Sequence, residues 1–146
     1  MRHIAVNRVP ALLVERLGCP VLAVRGQQVP VRALVRQRPG LRRHLGRPVV
    51  LGVRPGDVRD AMERRPAAAG SAALVLHGTV RDILPVGRHR LVHLELADGE
   101  GLDQPAPTLV ARMGGGWAAR VGSPIMLGID LARLMLFDAH TGRSLW

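Results

Sequence analysis

Two stretches of the chain, GRPVVLGVRPGD at residues 46–57 and GSPIMLGIDLAR at residues 122–133, follow one pattern. Each contains G-x-P, two large apolar residues, and then Leu, Gly and a β-branched residue, and every matched position is offset by 76 residues. A continuous apolar run of this length, bounded by Gly and Pro, is typical of a buried β-strand. The repeat therefore predicts two equivalent strands in a chain of 146 residues.

Short apolar runs separated by turn residues recur every 8–12 residues along the rest of the chain. The predicted strands cover residues 11–17, 21–25, 29–31, 48–53, 74–85, 88–97, 108–113, 125–129 and 134–137. Residues 33–45 are expected to be irregular with one helical turn, broken at Pro39-Gly40, and residues 56–62 to form a loop or a short helical turn. Many short strands without a long amphipathic helix favour an all-β fold, a barrel or a sandwich.

The clearest strand is RHRLVHLELA at residues 88–97, in which apolar and polar positions alternate. Strand geometry places Val92, Leu94 and Leu96 on one face, and Leu91, His93 and Glu95 on the other. We expect one domain over residues 1–146, built from two β-rich segments at about 1–62 and 74–146. The small, polar stretch ERRPAAAGSAA at residues 63–73 reads as the connector between them, and residues 98–107 as a turn-rich loop.

The charge of the chain is concentrated at one end. All 21 residues in the Lys-plus-Arg count are Arg, and the formal net charge is +10. Residues 1–50 hold ten Arg and one acid, whereas residues 51–146 hold eleven Arg and ten acids. A cationic segment of this kind can meet nucleic acid, an anionic membrane or an acidic protein surface.

Several kinds of site are excluded or disfavoured by the residues present. A Walker A loop requires a lysine, which the chain lacks, and the G-x-S-x-G nucleophile elbow is absent. His89 and His93 have a spacing that suits zinc on a helix, but they lie in a strand pattern. We therefore expect no catalytic, cofactor-binding or metal-binding residues. The single Cys19 cannot form an intrachain disulfide, which fits a reducing compartment, and no apolar run suggests a signal peptide or a membrane span.

Three motifs suggest a family. VVLGVRPGDV at residues 49–58 resembles the LGIRPE signature in the C-terminal regulatory region of ATP-binding subunits of sugar ABC importers, of the maltose and glycerol-phosphate type. LHGTVRDILPVGRHRLVHLEL at residues 76–96 is similar to the strand pair that follows in that family. RVGSPIMLGIDLARLMLFDAHTGRSL at residues 120–145 is similar to its closing segment. The resemblance covers nearly the whole chain and is most specific for residues 46–58 and 121–145.

The resemblance implies an OB-fold-like barrel of the TOBE or MOP-like kind, with no activity of its own and without the ATPase domain. In the family, this domain helps to hold two ATPase subunits together and, in some members, receives a regulatory protein. The implied partners are a second copy, the ATPase domain and the transporter's membrane subunits, and the implied location is cytoplasmic, at the inner face of the cell membrane. The family motifs are carried by Arg54, Pro55, Phe137, Asp138, Thr141 and Gly142.

The sequence departs from the family pattern at two acidic positions. Gly56 replaces the Glu of the signature, and Leu84 replaces the first acid of the E-x-x-G motif, whose glycine is Gly87. From the residues themselves, Asp138 and Thr141 around Gly142 predict a side-chain-capped turn. Arg54, leaving a buried strand, is expected to pair with an acid such as Asp138 or Asp57.

Two alternative functions stay open at this point. Related TOBE domains resemble molybdate and tungstate binders, so a cationic chain of this kind could hold an oxyanion. Binding of single-stranded nucleic acid to an OB-type barrel needs aromatic stacking platforms in a cationic groove. The only aromatic residues here are Trp117, Phe137 and Trp146, so we expect no nucleic-acid partner.

Overall fold

The computed structural model describes residues 6–61, 73–97 and 108–145, and within them the chain is nearly all β. The strands are β1 (Asn7–Arg16), β2 (Cys19–Val24), β3 (Gln27–Pro30), β4 (Arg47–Val53), β5 (Val58–Asp60), β6 (Ala73–Val86), β7 (His89–Leu96), β8 (Thr108–Gly114), β9 (Pro124–Asp130) and β10 (Met135–Asp138). One short helix, α1 (Arg32–Gln37), and two 3-10 helices, Pro39–His44 and Pro55–Asp57, complete the elements. The predicted all-β fold is confirmed.

Most strand predictions are confirmed, and the differences have local causes. The predicted helical turn in residues 33–45 is two short helices, which end and begin around Pro39 because proline restricts the residue before it. The predicted loop at residues 56–62 contains β5, which is too short to show a period of its own. The predicted connector at 63–73 lies outside the described residues except Ala73, and the predicted loop at 98–107 lies wholly outside them.

The repeated strands occupy the same place in two five-stranded sheets. The strand orders are β10-β4-β1-β2-β3 and β5-β9-β6-β7-β8, with antiparallel neighbours throughout. In each sheet the repeated strand, β4 or β9, is second from the edge and pairs with the first long strand of its own half. The strand that follows each repeat crosses over: β5 pairs with β9, and β10 pairs with β4. The chain is thus two similar halves that exchange their last strands.

The two halves also match in atomic detail. The Gly46 N–H donates to the Leu13 carbonyl at 2.6 Å, and the Gly122 N–H donates to the Val80 carbonyl at 2.7 Å. Both glycines have a left-handed φ, +85° and +91°, which an L side chain adopts only with strain. The G-x-P of the repeated motif is therefore the entry turn of each strand.

One hydrophobic core lies between the sheets. The face of β7 that the alternation predicts to be buried does point into this core, since Val92, Leu94 and Leu96 are all buried. The repeat contributes Leu51 from one sheet and Leu127 from the other. At the edges β3 packs against β6, β8 packs against β1, and β5 reaches β8, so the two sheets curl into a nearly closed barrel. No helix in the described residues is long and apolar enough to cross a membrane.

Candidate functional site

Where the chain leaves β4, the two adjacent motif residues Arg54 and Pro55 differ in their burial. Pro55 opens the 3-10 helix Pro55–Asp57, where its fixed φ suits the first position and its missing N–H is not needed. The Asp57 N–H donates to the Arg54 carbonyl at 2.9 Å and closes this turn. Pro55 is buried while Arg54 is exposed. Pro55 therefore anchors the turn in the barrel, and Arg54 is available on the surface.

The two positions that depart from the family pattern lie in one row across the outer face. Leu84 on β6 is opposite Leu91 on β7, and Leu91 is opposite Arg112 on the edge strand β8. A Cβ atom at Gly56 would lie 2.8 Å from Nη2 of Arg112. The family that the sequence resembles has an acid at each of these two positions. This chain has instead the exposed Leu84, and Gly56 beside the guanidinium of Arg112.

Substituting Gly56→Glu should restore an ion pair at this place. The φ of Gly56 is not in the left-handed region, and the atom in the way is the flexible end of Arg112, so the side chain can be accommodated. An exposed pair of this kind contributes at most about 1 kcal/mol and weakens with salt. A double-mutant cycle with Arg112→Gln, followed by urea unfolding at low and high salt, measures it. A coupling energy that does not change with salt would contradict the ion pair.

Phe137 lies on β10 opposite Val50 of β4 and closes the sheet edge. The guanidinium of Arg8 lies 5.3 Å from the centre of its ring, within the range of a cation–π contact. A Cβ atom at Gly52 would lie only 2.6 Å from Cε2 of Phe137, so the ring requires glycine there. The glycine shared by both copies of the repeat has, in this copy, a packing reason that sequence reasoning did not assign.

The predicted side-chain-capped turn is confirmed, and it begins at Asp138, directly after Phe137 in the chain. One oxygen of Asp138 accepts the backbone N–H groups of His140, at 2.7 Å, and Thr141, at 2.9 Å. The Gly142 N–H donates to the Asp138 carbonyl, and Gly142 has a φ of +74°. The N–H groups of Thr141 and His140 hold the pKa of the Asp138 carboxyl below its ordinary value of 3.8. In this arrangement Asp138 and Gly142 act as turn residues, and the Thr141 hydroxyl accepts from the Arg143 N–H at 3.2 Å.

The lowered pKa of Asp138 predicts a pH dependence of stability. Because the folded state favours the charged carboxylate, this stabilisation is fully present only well above the ordinary pKa of 3.8, and it is lost as the pH falls through the folded pKa. Asp138→Asn keeps an acceptor oxygen but removes the charge. The variant should therefore be less stable than the wild type at pH 7, and the difference in stability should be smaller at pH 2. Chemical denaturation at both pH values checks this, and a constant gap would contradict it.

The expected pairing of Arg54 with Asp138 is wrong. Asp138 is opposite Val49, at the start of β4, whereas Arg54 follows its end, so the strand itself keeps the two side chains apart. Asp57 meets Arg54 only through the backbone bond of the turn. Five of the six motif residues therefore form two groups toward opposite ends of β4, and the sixth, Phe137, lies between them.

Two side-chain amides that sequence reasoning missed join the sheets. Asn7 on β1 donates to the carbonyl of Val110 and accepts its N–H, both at 2.8 Å, and so completes the edge of β8. Gln27 on β3 donates to the carbonyls of His77 and Ala97 at 3.0 and 3.1 Å and accepts the His77 N–H at 2.7 Å. Each side-chain amide donates to and accepts from backbone groups, as the peptide group of a neighbouring strand would. The partners are 50 or more residues away, so the local sequence does not indicate them.

A cleft of about 520 Å³ lies on the outer face of β6 and β9. Its walls are mainly apolar, with Asp60, His77 and Thr79 as the polar members. The indole N–H of Trp117 donates a hydrogen bond to the Asp60 carboxylate at 2.9 Å, and Trp117 is only 5% exposed. Among the described residues that line the cleft there is no arginine.

No metal or stacking site is formed by the described residues. Across 6–61, 73–97 and 108–145, no group of three or more His, Cys, Asp or Glu side chains could hold a metal ion. His89 is exposed and His93 half-buried on β7, in agreement with the strand interpretation. Trp117 is buried and the ring of Phe137 is covered by Arg8, so neither offers a face to a base.

Comparisons with known proteins agree with this architecture. The family model described as "TOBE domain" matches residues 51–137. Among solved structures, the chain is similar to the cytoplasmic molybdate-binding protein ModG with molybdate bound. The TM-score is 0.60 at 16% sequence identity, over 93% of this chain and 98% of that chain. A search of curated proteins finds no match.

Proposed function

The chain belongs to the TOBE domain family, and from this membership we propose that it is the regulatory and dimerisation domain of an ATP-binding subunit of an ABC-type carbohydrate importer. TOBE domains are non-catalytic binding modules. The observation that carries the proposal is the pairing of β4 with β10. The two stretches that most specifically resemble the importer subunits are far apart in sequence, yet they form neighbouring strands and so meet in one surface.

The proposed partners are a second copy of the chain, the ATPase domain and the membrane subunits of the transporter, with a regulatory protein as a further partner. The location that follows is cytoplasmic, at the inner face of the membrane. For the second copy we propose the end of the β6–β7 hairpin. β9 pairs with β6 only as far as Thr79, and beyond it Leu84 and Val86 are 51% and 49% exposed. Exposed apolar side chains beside an open strand edge favour pairing with another strand.

Sedimentation equilibrium over a wide concentration range tests the dimer. The wild type should self-associate, and the double variant Leu84→Lys/Val86→Lys should remain a monomer. The matched control is Leu17→Lys, which removes a fully exposed leucine from the other hairpin end and should leave the dimer intact. A wild type that is monomeric at every concentration would contradict the dimer, and specific ATP hydrolysis by the chain would contradict the whole proposal.

A second candidate function is oxyanion binding. It is supported by the likeness to ModG and by the excess of arginine. Because the described lining of the cleft on β6 and β9 includes Asp60 and no arginine, we propose the arginine-rich end or the contact between two copies as the oxyanion site. Titration calorimetry with molybdate, tungstate and sulfate separates the two functions. Saturable heat with molybdate favours the oxyanion function, and its absence at millimolar anion favours the importer domain.

A further inference from the structure

The helical segment that follows β3 has the highest concentration of charge in the described residues. Residues 32–47 contain six arginines and no acid. Five of them are exposed and have no ion-pair partner in the described part of the chain: Arg32, Arg36, Arg42, Arg43 and Arg47. We call this surface, formed by those five arginines, the arginine cap.

The arginine cap is held rigidly by its apolar side. Leu34 and Val35 of α1 and Leu41 of the 3-10 helix Pro39–His44 are at most 2% exposed and belong to the core. The Val31 N–H donates to the Pro20 carbonyl at 2.9 Å, which ties the start of the segment to β2. Because every large apolar side chain of the two helices points inward, the outer face presents guanidinium groups without an exposed apolar centre.

This chemistry suits a surface of phosphate groups better than a folded protein. Specific protein interfaces have an apolar core with charges at the rim, and the two helices, which carry four of the five cap arginines, expose no large apolar side chain. Guanidinium groups bind phosphate oxygens in a bidentate manner. Each basic side chain close to an anionic bilayer raises the partition coefficient of the protein onto that bilayer about fivefold. No apolar insertion is needed for this kind of binding.

Nucleic acid fits the geometry less well. Single strands need exposed aromatic faces, and the two aromatic rings of the described residues are buried or covered. Duplex readout uses a helix that enters the major groove, whereas α1 has six residues, about 9 Å, and lies against the barrel through Leu34 and Val35. We propose that the arginine cap docks the domain on an anionic phospholipid bilayer.

One acid near the arginine cap does not cancel its charge. Asp138 lies close enough to His44 to feel its charge, but its carboxylate is already bound by the N–H groups of its own turn. In the second sheet, in contrast, Arg81 pairs with Glu95 at 2.8 Å. Docking would therefore orient the barrel with the end bearing α1 toward the lipid.

Co-sedimentation of the full chain with vesicles tests the proposal. Vesicles of phosphatidylcholine with about one third phosphatidylglycerol should bind the chain at low salt, and vesicles of phosphatidylcholine alone should not. The triple variant Arg36→Gln/Arg42→Gln/Arg43→Gln should bind roughly 100-fold more weakly. High salt should also abolish the binding, because exposed charges are screened.

The matched control is Arg88→Gln/Arg120→Gln/Arg133→Gln, which has the same net charge but removes exposed arginines from outside the arginine cap. It should retain the binding of the wild type. Equal loss in both triple variants would overturn the proposal, because net charge alone would then explain the binding. No binding to anionic vesicles would overturn it as well. Tighter binding to duplex DNA than to vesicles at the same salt would assign the arginine cap to nucleic acid instead. None of these results bears on the importer proposal, which is tested by self-association.

Discussion

Replacing Leu51 or Leu127 with alanine is expected to lower the free energy of unfolding by about 2–5 kcal/mol in each case. The two leucines hold matched positions in the repeat, and they are 1% and 0% exposed. Truncating a buried leucine loses its transfer free energy and leaves a cavity that close packing cannot fill. Each leucine faces the shared core from its own sheet. Partial unfolding of either half would therefore expose core side chains of the other half to water.

Urea denaturation of the two variants measures the effect. The controls are Val50→Ala and Met126→Ala, one position earlier in each copy, where strand alternation leaves the side chain half-buried on the outer face. These should cost markedly less than the leucine variants. If one leucine cost less than 1 kcal/mol and the other several, the two copies would not be equivalent parts of one core.

Replacing Gln27 with alanine is expected to lower the free energy of unfolding by about 2–3 kcal/mol. The side chain makes three hydrogen bonds across the two sheets, each worth about 1 kcal/mol net. The loss leaves the backbone groups of His77 and the carbonyl of Ala97 without this partner. β3 is an edge strand, and the bond from the Ala97 N–H to the His77 carbonyl at 2.9 Å stays in place, so the cost falls on the link between β3 and β6.

Two further variants make the test of Gln27 specific. Gln27→Glu keeps an acceptor for the His77 N–H but removes both donors, and it places a charge beside two carbonyl oxygens. It should cost at least as much as alanine. Gln28→Ala changes the exposed neighbour and should be nearly neutral. Hydrogen exchange at the His77 amide should accelerate in Gln27→Ala, which removes its acceptor, and unchanged protection in that variant would contradict the role of the amide.

Strand positions were readable from the sequence because they depend on local pattern. The alternation over residues 88–97 and the turn around Asp138 both appear as predicted, since side-chain period and turn chemistry operate within a few residues. Short elements escaped this reasoning. β5 has only three residues, and it is a strand because β9 offers it an edge.

Candidate site residues were predictable only in part. The motif identified Pro55, Phe137 and Asp138, whose roles in packing and in the turn are local or lie on neighbouring strands. The residues themselves also suggested that Arg54 pairs with an acid such as Asp138 or Asp57, and the antiparallel register keeps Asp138 away from Arg54. The joining amides of Asn7 and Gln27 had no sequence signal, because their partners are 103 residues away for Asn7 and 50 and 70 residues away for Gln27.

By itself, the repeated motif determined that the chain contains two equivalent buried strands, each entered through a glycine turn. Apolar content and backbone conformation at these positions are properties of the motif alone. Only the tertiary structure decided that the copies lie in different sheets and that each half closes the other with its last strand. Strand pairing joins residues far apart in sequence, and its register is settled by the shared core. For the same reason, only the fold brought Leu84, Arg112 and Gly56 into one row on the surface.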